Sequence, residues 1–541
     1  MRIVTAAQMR QIEQEAFASG VAQPALMRRA GEAVAARARA TLADPQHAGV
    51  LVLIGPGNNG GDGLVVAEAL ADAGVRDVRL WLYRREGLRG APVAADLFDR
   101  LPPLDAAGLA SALAGAELIV DALYGIGARD ELPFDLVAVL RAINARAEDP
   151  RVTLLALDLP TGVNADTGAV AEVAFRADLT VTLGRAKRGL FEGAGLRHAG
   201  RIIVDTIGLG GGAVTGVTPR TIGREDALAR LPRRAEDAHK GDAGSLMIIG
   251  GSLNYLGAPV LAGHAALRAG VGLLTLAVPR SLLGPVASQV AEATYLPLPE
   301  AEWGTIGPEA VKPLSEGLAR YTAVQIGNGL GREKATGDFL GRLFAFSPQE
   351  RGKAPVGFRP LSAAEEAAPD EAIIKVPTLI DADGLNLLSE VERWWEKIGN
   401  LQLILTPHHG ELARLRGVER EAISAAPWQA ALDAAREWQQ VVVLKGGYTV
   451  VATPDGALWV APLANPALAA AGTGDTLAGL IAGFLAQKLT PADAAILGLW
   501  VGARAGELAR AAIGTLPLLA GDLPHFIAQA IRELETGAAT K

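Results

Sequence analysis

Two sets of residues in this chain have the types and spacing to do chemistry. The first begins at Gly55-Pro-Gly-Asn-Asn-Gly-Gly-Asp-Gly63, between an apolar run and a helix read from about Asp62 to Asp72. Two acids, Asp121 and Asp158, each end an apolar run (Leu118-Ile-Val-Asp121 and Leu154-Leu-Ala-Leu-Asp158). Asn58, Asn59, Asp121, Asp158 and Thr161 supply hard oxygen donors, which suit a hard cation. Asp158 can also move a proton. The plainer alternative is a set of tight turns and loop caps, with Asp62 as a helix N-cap. In the second set, Ala471-Gly-Thr-Gly-Asp475 opens an apolar helix. Glycines at a helix start leave backbone N–H groups free to cradle an anion. An acid just after them can take a proton from a hydroxyl as phosphoryl transfer proceeds. Asp475 as a simple cap is the alternative. Around it in sequence lie Gly327-Asn-Gly-Leu-Gly331, Asp381 and Asp383, Thr406-Pro-His-His-Gly-Glu411, and Val443-Leu-Lys-Gly-Gly-Tyr-Thr449. Turn formation accounts equally well for Asp381 and Asp383, and a surface loop for His408.

These residues need strands to end beside them. Val50–Ile54 is short, apolar and bounded by glycine, so it reads as a buried strand. Strands follow at about 78–83, 117–121, 152–158, 178–183 and 201–205, separated mostly by helical segments or long loops. That alternation predicts a parallel α/β sheet. Ligands of such sheets bind beyond the carboxyl ends of the strands. Before the first strand, Thr5 and Gln8 form a capping box and a second helix spans about Pro24 to Leu42. A glycine-rich run at 208–216 reads as a linker. A new strand–loop–helix series then starts at Ser245–Ile249, with a helix from about Ala258 and strands at 272–278, 323–327, 377–381, 402–406, 440–445 and 448–452. Residues 345–372 are polar and Pro-rich and read as a surface insertion. Domains are therefore expected at 1–210 and 217–541.

Composition narrows the function. The chain has 541 residues, a net charge of −8 and no cysteine. Disulfides, thiol nucleophiles and Cys-ligated metal are excluded, and a generic polyanion binder is disfavoured, so no nucleic-acid partner is expected. The start lacks a signal-peptide h-region. No apolar run reaches 18 residues, so no membrane association is expected and a cytoplasmic protein is the default. The Gly55/Gly57/Gly60 pattern is formally a dinucleotide fingerprint, but a weak one. Asp62 would repel a pyrophosphate there, and Arg84-Arg85 stand where a ribose-binding acid belongs. No Walker A sequence occurs, which argues against a P-loop nucleotide site.

GPGNNGGDG, DALYGIG, DLPTGVNADTG and the TVTLGRAKRG of residues 180–189 together resemble the NAD(P)H-hydrate epimerase family over about residues 1–210. The resemblance implies a Rossmann-like domain that interconverts the R and S epimers of hydrated NADH and NADPH. It implies substrate contacts from Asn58, Asn59, Gly60, Gly61 and Asp62, from Gly125, Ile126, Gly127, Ala128, Arg129, Asp130 and Glu131, and from Asp158. Asn59, Asp121 and Thr161 match potassium-binding positions, and Asp158 is the expected proton-transfer residue. Glu13 stands where the family leads one to expect aspartate, a departure read as a matter of helix packing.

The ordered motifs of residues 225–535 resemble the ADP- or ATP-dependent NAD(P)H-hydrate dehydratase, a ribokinase-like α/β domain. The resemblance implies that Asp475 deprotonates the hydrate hydroxyl, which attacks the terminal phosphoryl group; elimination of phosphate then restores the dihydronicotinamide. Lys445, Gly446, Gly447, Tyr448, Thr449 and Gly474 would contact the adenine nucleotide. Ala258, Gly329, Gly331, His408 and Asp475 would contact the hydrate. Magnesium is expected from phosphoryl-transfer chemistry, and a homo-oligomer from the family. Two departures bear on local loop shape: Asn328 replaces the proline of G-P-G-L-G, and His409 the proline after T-P-H. The leading reading is thus a bifunctional repair enzyme. The alternative is a small-alcohol or vitamin kinase carrying a non-catalytic N-terminal binding module.

Overall fold

The computed structural model describes residues 1–127, 131–209, 218–346 and 371–537. The expected substrate contacts Ala128, Arg129 and Asp130, nearly all of the glycine-rich linker and most of the 345–372 insertion lie outside the described residues. The chain divides into two compact units, Met1–Pro219 and Arg220–Lys541.

In the first unit the strands are β1 (Ile3–Val4), β2 (Gly49–Ile54), β3 (Asp77–Leu82), β4 (Leu118–Ala122), β5 (Thr153–Leu157), β6 (Leu179–Leu183), β7 (Ala186–Lys187) and β8 (Arg201–Asp205). Six of them form one parallel sheet in the order β3-β2-β4-β5-β6-β8. The chain leaves β2 toward β3 and returns to β4 on the other side, so the strand order reverses beside β2. Crevices for ligands open at such points. Both sheet faces are covered. Val50, Val52 and Ile54 enter one apolar cluster with the helices Gln23–Thr41 and Asn58–Asp72. Leu51 and Leu53 enter another with the helices Ala106–Gly115 and Phe134–Arg146. A strand buried on both faces is apolar at every position, which is why β2 is legible as an uninterrupted run.

The second unit adds β9 (Arg220–Thr221), β10 (Ser245–Ile249), β11 (Leu273–Pro279), β12 (Thr294–Leu298), β13 (Ala323–Ile326), β14 (Thr378–Ile380), β15 (Leu403–Leu405), β16 (Val441–Leu444), β17 (Val450–Ala452) and β18 (Leu458–Val460). They form a single sheet, β12-β11-β10-β13-β14-β15-β16-β17-β18-β9. It is parallel from β12 to β16, and β17 runs antiparallel to both its neighbours. Here the order reverses at β10/β13. The helices Gly257–Ala269, Thr473–Ala486, Pro491–Ile513 and Leu523–Thr536 contribute to one large apolar core against this sheet. Contact between the first two is unusually close: a Cβ at Gly479 would lie 2.1 Å from the Ala262 carbonyl oxygen. Both units are α/β, as the strand alternation predicts. β12 escaped the sequence reading because Pro297 interrupts it; as an edge strand it tolerates the missing N–H.

Candidate active sites

The glycine-rich loop after β2 is shorter than the sequence suggests. The helix begins at Asn58, four residues before Asp62, with Gly57 as its N-cap. Asp62 is therefore inside the first turns and not an N-cap. Glycine makes this possible: a Cβ at Gly60 would sit 1.9 Å from the Gly55 carbonyl oxygen. The helix start is thereby drawn down onto the ends of β2 and β4.

A cavity of about 540 Å³ opens there. Asn58, Asn59, Asp62, Gly125, Ile126, Gly127 and Asp158 all line it, together with Glu13 and Lys187. Gly60 and Gly61 are buried in the helix turn behind it. Glu131 is exposed and outside the lining. Asp158 follows β5 with a left-handed φ of 68°, a strained conformation for a residue with a Cβ. Its Oδ1 accepts from the Leu183 N–H (3.0 Å), from the Thr182 hydroxyl (3.2 Å) and from the Lys187 ammonium. Lys187 is 1% exposed and also donates to the Leu183 carbonyl (2.6 Å). Burial pushes the Asp62 carboxyl well above the ordinary range, and the charges of Asp158 and Glu13 push it further. Burial also raises Glu13, against the pull of Lys187. Glu13 thus faces the cavity chemistry, whereas the sequence suggested packing alone.

Asp121, at the end of β4, is fully buried. It accepts from the Thr161 hydroxyl (2.8 Å), the Thr161 N–H (2.7 Å) and the Leu123 N–H (3.1 Å). Burial raises it to about 6, with these hydrogen bonds opposing. The Asn59 amide nitrogen is buried without a partner. An amide turned over would present its oxygen instead, so Asn59, Asp121 and Thr161 fit the oxygen donors a potassium ion takes.

In the second unit, Asp475, Asp381 and Lys445 meet through one polar network. Asp475 lies in the first turn of the helix Thr473–Ala486, whose N-cap Gly472 offers no side chain to its free amides. The buried Asn328 amide donates to Asp475 (2.7 Å) and to Asp381 (3.0 Å), and accepts from Gln325 (2.7 Å). The Lys445 ammonium donates to Asp381 (2.7 Å) and lies 4.0 Å from Glu411. Burial alone would depress Lys445; the Asp381 and Glu411 carboxylates outweigh it and hold the ammonium above its ordinary value. A Cβ at Gly474 would be 3.6 Å from the Lys445 nitrogen, so this cation stands at the helix start. Asp475 is raised to about 6, by burial first; Asp381 and Asp383 add to the rise, while Asn328 and Lys445 oppose it.

His408 caps the helix His409–Arg416. Its Nδ1 accepts from the Gly410 and Glu411 N–H groups (3.0 and 3.1 Å). Nδ1 therefore carries no proton; Nε2 carries it, 3.5 Å from the Glu411 Oε1. Burial and the nearby Lys445 and Arg414 charges lower its pKa, in keeping with a neutral ring. Gly331 N–H donates to Asp383 (3.0 Å). A Cβ at Gly329 would meet Tyr255 and Ala258, which places Ala258 and Gly329 side by side. Gly446, Gly447, Tyr448 and Thr449 form the turn between β16 and β17. Burial pushes the Tyr448 phenol up to about 12. Asn328 and Lys187 are the residues that sequence reasoning passed over. Asn328 was visible only as a departure, and Lys187 lay unremarked inside the TVTLGRAKRG motif.

Two family models match the chain. The family described as YjeF-related protein N-terminus matches residues 23–189. The family described as NAD(P)H-hydrate dehydratase matches residues 246–348 and 363–529, leaving 349–362 unmatched inside the expected insertion. The bifunctional NAD(P)H-hydrate repair enzyme Nnr of Moorella thermoacetica is 35% identical over 100% of this chain and 98% of its own length. That of Coxiella burnetii is 34% identical over 96% of this chain and 97% of its own. Among solved structures, the ADP/ATP-dependent NAD(P)H-hydrate dehydratase of Bacillus subtilis, co-crystallised with ATP/Mg2+, covers 59% of this chain and 100% of its own at 27% identity and a TM-score of 0.47. On full-length identity with these relatives, the chain belongs to the family of bifunctional NAD(P)H-hydrate repair enzymes.

Proposed function

We propose that the first unit epimerises hydrated NADH and NADPH at the 540 Å³ cavity and that the second dehydrates the S epimer at the Asp475 network. The observation that carries the first half is the grouping of Asp158, Lys187, Asp62 and Glu13 around one cavity at the sheet's switch point. Epimerisation needs reversible loss and return of a hydroxyl at the hydrated ring carbon. The ring nitrogen's lone pair expels it as water, which requires a proton; a planar cation remains, and water returns from the other face with release of that proton. Asp158 is the proton-transfer residue. Its carboxylate faces the developing cation, and Lys187 fixes its orientation. Asp62, biased toward its protonated form, is a second acid within the same cavity. Asn59, Asp121 and Thr161 would hold potassium, whose positive charge would offset the buried Asp121 carboxylate.

In the second unit Asp475 is the general base. A carboxylate raised to about 6 is well matched to removing a proton near neutral pH. The deprotonated hydrate hydroxyl attacks the terminal phosphoryl group of ADP or ATP. The P–O bond to the nucleotide breaks, leaving AMP or ADP. The phosphorylated hydrate then eliminates phosphate as the adjacent ring carbon gives up its proton, which regenerates the double bond of NAD(P)H. The amides at Gly472–Gly474 and the Lys445 ammonium stabilise the transferring charge. Magnesium would accompany the nucleotide phosphates, with Asp381 and Asp383 the carboxylates to hold it. Gly446–Thr449 flank the nucleotide, and Ala258, Gly329, Gly331 and the His408 Nε2–H contact the hydrate. Self-association into a homo-oligomer and a cytoplasmic location are part of the same reading. Among the described residues no helix is long and apolar enough to cross a membrane. A simple kinase would leave a stable phosphorylated product. The test is therefore to incubate the S hydrate with ADP or ATP: free phosphate with restored dihydronicotinamide absorbance is expected, and a lasting phosphorylated hydrate would refute the reading.

A further inference from the structure

Beside the epimerase cavity lies a second cleft of about 390 Å³. The two share Met27, Pro56, Gly57 and Asn58. The rest of the second cleft is basic: Arg84, Arg85 and Arg89 line it, with Glu86 the one acid in its lining. Arg85 is structural. Its guanidinium donates to the Gly55, Gly57 and Arg89 carbonyls at 3.2, 2.9 and 2.7 Å, which ties this wall to the glycine-rich loop. Arg84 has a left-handed φ of 50°, a strained conformation of the kind that clusters at ligand sites. It is exposed and binds Asp135 through Nη2 alone, at 3.1 Å to each oxygen, so Nε and Nη1 remain as donors. Arg89 is exposed and makes no ion pair among the described residues.

Position in the fold gives this cluster a meaning. Arg84 follows β3, the strand paired with β2, and β2 carries the glycine-rich loop. In dinucleotide-binding α/β sheets the end of that neighbouring strand contacts the adenosine ribose. An acid there binds the free 2′-hydroxyl, and an arginine accommodates a 2′-phosphate. A dinucleotide whose reacting ring sits in the first cavity carries its adenosine half at the other end of the pyrophosphate. The shared wall at Pro56–Asn58 leads into the arginine cleft.

We propose that this cleft takes the adenosine half of the hydrated dinucleotide and that Arg84 and Arg89 bind the 2′-phosphate present in hydrated NADPH and absent from hydrated NADH. The proposal rests on the epimerase reading of the neighbouring cavity. Guanidinium is the group suited to it, because its planar donors match phosphate oxygens. Glu86 and Asp135 are the acids facing these groups, against three guanidinium charges.

The experiment measures epimerisation of both R hydrates by the full chain and by the double variant Arg84→Ser/Arg89→Ser. Both side chains are exposed, so the fold is spared. The ratio of kcat/KM for hydrated NADPH over hydrated NADH is expected to fall by about tenfold or more, as for loss of a charge-assisted phosphate contact. Adenosine 2′,5′-bisphosphate is expected to inhibit wild-type epimerisation more strongly than AMP, and the variant to lose that difference. A ratio within about twofold of wild type, or equal inhibition by the two nucleotides, overturns the proposal. A wild-type chain that epimerises neither hydrate overturns the epimerase reading itself, and this proposal with it.

Discussion

The two sites use the same ingredients in opposite ways. Each sits where a parallel sheet reverses its strand order, and each holds a lysine against a carboxylate. In the first unit the lysine lies on the proposed proton-transfer acid itself, Lys187 on Asp158. In the second the lysine is given to a neighbour, Lys445 to Asp381, and Asp475 is left with an amide from Asn328. The difference follows from the chemistry. Epimerisation starts and ends with the same charges, and a carboxylate held in a fixed orientation beside the transient cation suits it. Dehydration begins by stripping a proton from an alcohol. Burial raises Asp475 to about 6, which suits it to that step.

If this contrast holds, Asp475→Asn removes the base and lowers kcat for dehydration by roughly 10²–10⁴-fold, while epimerisation continues. Phosphate release from the S hydrate reads the first, and chromatographic R/S exchange the second. Lys187→Met leaves Asp158 buried without its cation. Breaking such a pair costs about 3–5 kcal/mol, so a large drop in melting temperature of the first unit is expected, along with loss of epimerisation. Lys445→Met should leave epimerisation intact.

Asn328→Leu is a finer probe. The amide now favours the ionised form of Asp475, so its removal raises that group further. The base works only when ionised, so the dehydration rate falls as pH drops below about 6 in the wild type. In the variant this acid limb moves to higher pH: for about one unit of movement the loss is roughly twofold at pH 7 and approaches tenfold below about pH 6. An unmoved limb would mean that Asn328 only packs. Smallest is the effect of Asn59→Leu. It should abolish any potassium dependence of epimerisation and slow it several-fold; persistence of that dependence would place the cation elsewhere.

Much of this was readable from sequence because strand ends and glycines leave strong marks. β2, β10 and β16 are continuous apolar runs, and Gly55–Gly63 and Gly472–Gly474 follow or precede elements where backbone must come close. What sequence could not carry was long-range pairing. Lys187 reaches Asp158 from 29 positions away and Asn328 reaches Asp475 from 147 away. Nothing in local spacing announces either. Glu13 reads as a helix-packing residue because its helix is distant from the glycine-rich loop in sequence; folding brings both to one cavity. The helix start at Asn58 is not legible in the sequence because four residues of glycine and asparagine carry low helix propensity. Here close packing against the strand ends overrides it.

The central claim is that one chain feeds a stereospecific dehydration with its own epimerisation. It is tested most directly by giving mixed R and S hydrates and excess ADP or ATP to the wild type and to Asp158→Asn, and following the return of dihydronicotinamide absorbance. The wild type should convert the whole mixture. The variant should convert the S fraction at the wild-type initial rate and then stall with the R form unspent. Equal, complete conversion by both would contradict the claim.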